Sequence, residues 1–116
     1  YNGWRLMQPA LHDLMDRMPA DEIVAPVRAA AGAVPGVLGT ERLDIRKVGP
    51  GDRVVIHVLA DGGMTLDDGH ALGHRVQDAI RGSVPRVETV LVHMEPFAPH
   101  RKRTRTGTPP GGSPSR

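Results

Sequence analysis

The chain has 116 residues, enough for one small domain, and is 39% hydrophobic but only 3% aromatic, so aliphatic side chains must fill its core. It contains no cysteine, which excludes disulfides, thiolate metal sites and thiol nucleophiles and leaves imidazole and carboxylate as the donors for any bound metal. The net charge of +2 belongs to one end: Arg101, Lys102, Arg103, Arg105 and Arg116 sit in the last sixteen positions, while the rest has ten basic residues against thirteen acidic ones. A mildly acidic body argues against nucleic-acid binding. No apolar run approaches the roughly 18 residues that cross a bilayer, and the start does not read as a signal peptide, so a soluble piece is expected.

In chain order, residues 1–18 carry an apolar pattern, Leu6, Met7, Leu11, Leu14, Met15 and Met18, that stops at Pro19 and reads as a short helix or connector. A helix, α1, is expected over about residues 21–32, with Asp21 and Glu22 in its first turn and Gly32 at its end. Pro26 is tolerated near the start, where amides lack partners inside the helix. Strand β1 is expected over 38–48, where Leu43 and Ile45 alternate with Asp44 and Arg46, and β2 over 54–60. Gly49-Pro50-Gly51-Asp52 joins them as an antiparallel hairpin.

Thr65 with Asp68 resembles a capping box for a helix α2 that runs to about Gly82, its buried stripe being Leu72, Val76, Ala79 and Ile80. The β-branched density of 87–94 gives β3. Residues 98–116, rich in Pro, Gly, Ser, Thr and Arg, read as a disordered basic tail. Such a tail is either an idle solvated terminus or, beneath a membrane, attracted to anionic lipid by about 1 kcal/mol per basic residue. The order αββαβ over 19–97 predicts an α+β fold, a two-layer sandwich of the ferredoxin-like and metallochaperone-like kind, with two helices on one face of a three-stranded sheet.

Four of the six histidines, His57, His70, His74 and His93, fall inside these elements. His70 and His74 are four apart on α2 and point away from its apolar stripe; alone they read as two solvated residues, and together they have the spacing of a shared metal site. His93 and Glu95 leave the same side of a strand at a spacing of about 6.8 Å. His57 lies mid-strand among apolar neighbours, where a lone histidine is more often a partly buried structural residue than a ligand. Their coincidence without competing thiols gives a donor set suited to zinc, iron(II), manganese or cobalt. Asp67 and Asp68 look like a carboxylate pair, but a helix's first turn favours acidic residues anyway. No nucleophile motif, phosphate loop or cofactor signature supports an enzyme.

Pro35-Gly36-Val37, Arg46-Lys47-Val48-Gly49, Val55-Ile56-His57-Val58, Gly69-His70-Ala71-Leu72 and Val90-Leu91-Val92-His93-Met94-Glu95-Pro96, in that order, resemble the cytoplasmic domain of cation diffusion facilitators. The resemblance covers about residues 3–96. It implies a connector after a last transmembrane helix, then an αββαβ domain on the cytoplasmic side of a membrane. It also implies a V-shaped homodimer, coupled to the transporter's transmembrane domain, that closes on divalent metal near the interface. Its ligand positions fall on His57, His70, His93 and Glu95, and on Glu41 just after the Pro35-Gly36-Val37 turn. His74 is either an extra ligand or a surface residue. Glu41 and Glu95 stand where some members have His and Asp, a harder donor set. Zinc leads the expected metals, with iron, manganese, cobalt and cadmium behind it. Two rivals stay open: a purely structural dimerisation domain, and a ferredoxin-like RNA-binding module, against which the lack of strand aromatics counts.

Overall fold

The computed structural model describes residues 17–98 together with Met7 and Leu14. The connector expected over 1–18 and the tail expected over 98–116 lie largely outside the described residues. A 3₁₀ turn at Ala20–Ile23 leads into α1 (Val24–Gly32), followed by β1 (Gly39–Val48), β2 (Gly51–Ala60), α2 (Leu66–Ser83) and β3 (Val87–Pro96). The sheet order is β1-β2-β3, with β1 antiparallel and β3 parallel to β2. Parallel pairing demands a crossover, and α2 supplies it. The result is the expected α+β, ferredoxin-like sandwich.

Most element bounds follow local chemistry. Asp21 and Glu22 lie in the 3₁₀ turn rather than in α1, with the Glu22 amide donating to the Pro19 carbonyl at 3.0 Å. Pro26 has no N–H to give the Glu22 carbonyl, so the turn ahead of α1 winds tighter than an α-helix. The hairpin turn contains just Gly49 and Pro50, enclosed by the pair Val48 and Gly51, so β2 begins three residues earlier than expected. Gly49 takes φ +63°, the positive value that primed hairpin turns require at their first central residue. At the start of α2 the Thr65 hydroxyl accepts from the Asp68 amide at 3.1 Å, as the cap motif predicts. β3 continues to Pro96, and the Phe97 amide donates to the Ala60 carbonyl at 2.8 Å.

The core lies between the sheet and the helices. Val54, Ile56 and Val58 of the central strand are fully buried, as are Ile23 and Val27 from the first helical segment and Leu72, Val76 and Ile80 from α2. Both helical stripes step by four residues, so each presents one narrow apolar face. Each such side chain contributes about 1.5–3 kcal/mol through burial. The alternate residues of β2, Val55, His57 and Leu59, are only partly buried and point to the opposite face, which the helices leave open.

At the end of the sheet where the chain enters, Asp52 is buried at 2% exposure and Arg86 is nearly so. The Arg86 Nε–H donates to Asp52 Oδ2, and its Nη1 donates to the Met18 carbonyl at 2.5 Å. The Asp52 amide in turn donates to the Arg86 carbonyl at 3.1 Å.

Replacing Leu72 with alanine should cost about 2–5 kcal/mol by leaving a core cavity, and Thr65→Ala about 1 kcal/mol by removing the cap. Denaturant unfolding of both variants checks the order; a Leu72→Ala loss no larger than the cap loss would contradict this core.

Candidate metal centre

Parallel pairing with β3 sets the site. His57 and His93 are register partners on neighbouring strands, so both leave the open face side by side. Their rings stack with centroids 4.9 Å apart at 28°. Leu59 pairs with Glu95, two residues further along the same face. The Glu95 carboxylate therefore reaches back, its Oε1 lying 2.5 Å from His57 Nδ1. The His57 side chain is 24% exposed and Glu95 40%, a half-buried setting in which a charge-assisted contact is stronger than in open water. The expectation that His93 and Glu95 share one side of the sheet holds. His57 is partly buried, as its apolar neighbours suggested, but it faces away from the core.

On the other strand the ladder skips. Thr40 pairs with Val58 and Leu43 with Ile56, so two residues, Glu41 and Arg42, share the one place opposite His57. This is a β-bulge, which inserts one extra residue and re-aims what it carries. It puts Glu41, an exposed residue, in the same transverse row as His57 and His93. Arg28 of α1 holds the bulge from behind: its Nη1 donates to Thr40 Oγ1 at 3.1 Å and reaches the carbonyls of Thr40 and Glu41 at 3.3 Å each. Sequence reading missed Arg28. The slip in alternation between Thr40 and Leu43 was its one available signal.

His70 and His74 stand apart from this row, exposed on α2. Their Nε2 atoms are 3.0 Å apart and the rings meet edge to face at 4.5 Å. One nitrogen must donate and the other accept, so the pair fixes complementary tautomers when neutral. They border an open cleft of about 570 Å³ between the first half of α2 and the end of β3, with Met64, Gln77, Met94 and Glu95. Glu95 thus touches the sheet group through His57 and also lines the cleft of the helix pair. Among the described residues no three His, Asp or Glu side chains converge on one point. The donor types of the sheet group suit a divalent metal: His57 and Glu95 are half-buried and in direct contact, His93 is exposed beside them, and an imidazole–carboxylate pair is common around metal-bound histidine. A closed shell of four donors needs side-chain rotation or ligands from a second chain.

A three-stranded sheet covered by helices on one face and carrying imidazole and carboxylate on the other defines a ferredoxin-like domain with a donor-bearing open surface. The family described as cation efflux protein, cytoplasmic domain, matches residues 19–97, and the chain belongs to that family, the cytoplasmic domains of cation diffusion facilitators. The chain is 28% identical over 96 residues to the cation-efflux pump FieF of Serratia proteamaculans, and equally so to that of Klebsiella pneumoniae. These alignments cover 83% of the chain but 32% of each pump, so it spans about a third of the length of the curated relatives it matches. Among solved structures, a MamM CTD variant in its nickel form superposes with a TM-score of 0.64 at 28% identity, covering 67% of this chain and 99% of that one. A MamM CTD with a histidine replaced by alanine matches equally well, at 0.64 and 28%, covering 67% and 98%. Among the described residues no helix is long and apolar enough to cross a membrane.

Arg28→Met should speed amide exchange across residues 40–43 by about tenfold or more while leaving the β2–β3 ladder protected, because the hydrogen bonds lost are local to the bulge. Exchange unchanged at 40–43 would remove Arg28 from this role.

Proposed function

We propose that this domain is the metal-responsive dimerisation arm of a divalent cation efflux transporter, binding metal at the open face of its sheet and passing the bound state to transmembrane helices. The observation that carries the reading is the direct contact of His57 with Glu95 and its stacking on His93, three donor side chains grouped on a face that the chain's own helices leave bare. His57, His93 and Glu95 are the first ligands in this reading, and Glu41 joins them from the bulge. His70 and His74 form a second, outward pair that fits an ion shared with another copy. Val55, half-buried, and Leu91, 50% exposed, flank the histidines with apolar surface suited to a second copy.

Zinc suits the imidazole-rich set, and the two glutamates leave room for iron(II), manganese, cobalt or cadmium. Metal would favour the closed dimer only by binding it more tightly than the open one. The role is sensing, with no catalytic step assigned. Among the described residues the open face offers no aromatic platform beyond the imidazoles for stacking bases, so nucleic acid is not a proposed partner. The basic tail is proposed as a contact for anionic lipid.

Titrating zinc and manganese into the purified chain, with calorimetry and small-angle scattering in parallel, should give binding together with a more compact dimer. His57→Ala and His93→Ala should each weaken affinity by about tenfold or more, and His74→Ala less. A dimer that forms but ignores metal would leave the purely structural reading in its place.

A further inference from the structure

The buried pair at the opposite end of the sheet is not absorbed by metal binding. Arg86 immediately precedes β3 and Asp52 stands at the start of β2, so the pair joins the origins of the two parallel strands that carry His57, His93 and Glu95. From Asp52 to His57 is five residues, about 17 Å of strand. Arg86 also reaches the carbonyl of Met18, the residue before Pro19, where the chain enters the domain. Three segments far apart in sequence meet on one guanidinium.

The chemistry is poorly suited to simple stabilisation. Asp52 is 98% buried, and its second oxygen, Oδ1, has no hydrogen-bond partner among the described residues. A buried ion pair with an orphaned oxygen is a weak stabiliser, since apolar side chains of similar shape often serve as well or better. A planar fork that serves a carboxylate and a carbonyl in different segments does what apolar packing cannot: it sets direction. Lysine, with one ammonium, lacks that fork.

Resting on the reading above, we infer that Arg86 is the coupling residue that ties the entering chain at Met18 to the common origin of β2 and β3, so that metal-driven reorientation of the sheet is passed to the connector. It is a positioning residue and does not touch metal.

The chain has no native cysteine, so Leu14→Cys and Asp78→Cys accept a pair of spin labels, diluted with unlabelled chain to isolate distances within one protomer. In the parent, zinc should leave one narrow connector-to-body distance, because the connector turns with the sheet. In Arg86→Lys the distribution should broaden with and without zinc, while zinc affinity by calorimetry stays within about threefold of the parent, as for sites well over 10 Å apart. A narrow distribution in Arg86→Lys would overturn the inference. So would a tenfold loss of zinc affinity, which would make Arg86 a support of the metal site. If Arg86→Lys does not fold, the combined Asp52→Leu and Arg86→Met variant, which removes both charges, is judged by the same two criteria. A parent that binds no zinc would sink the functional reading alone, and the metal-free distributions would still decide whether Arg86 holds the connector.

Discussion

The parallel register of β2 against β3 is the constraint on which the rest depends. It makes His57 and His93 partners across one row, brings Glu95 within reach of His57, and starts both strands at the Asp52–Arg86 pair. A slip of one residue would turn His93 and Glu95 toward the helices and bring Val92 and Met94 to the open side. What prevents the slip is the core beneath: Val54, Ile56 and Val58 are sealed by Leu72, Val76 and Ile80 of the crossover helix. The same stripe that holds register also turns His70 and His74 outward. Packing and site geometry are here one decision made on two faces.

The elements were legible where the signal is local. Gly49-Pro50 marks the hairpin, Thr65 with Asp68 marks the helix start, and period two places His93 beside Glu95. Everything that joins distant segments was not. The helix between residues 51–60 and 87–96 hints at a parallel pair, but nothing in either apolar run fixes the register that sets His93 beside His57. The bulge left only a faint trace, a slip in alternation between Thr40 and Leu43 that the two charged residues Glu41 and Arg42 obscure. Glu41 was reached through family resemblance, and its place opposite His57 became visible only with the ladder drawn. Arg86 meets Met18 across 68 positions and Asp52 across 34, separations that no window of sequence contains.

The chain spans 32% of the pumps it resembles, and it carries donors, an open sheet face and a point of entry, with no membrane-crossing helix among the described residues. In the proposed role the domain would act on transport only through differential affinity: an ion that bound the open and closed arrangements equally would change nothing, however tightly it bound. The division of candidate donors between the sheet row and the outward helix pair would suit that requirement if a second copy completes the shell.

The contact between His57 and Glu95 has one more consequence. The two groups satisfy each other at 2.5 Å, half shielded from water. An ion taken by Glu95 or by His57 Nδ1 would have to displace that hydrogen bond, whereas one taken by His57 Nε2 would keep it, with Glu95 orienting the ring. In the proposed role that competition would lower the affinity of any ligand mode that has to displace the hydrogen bond, and leave untouched one that keeps it.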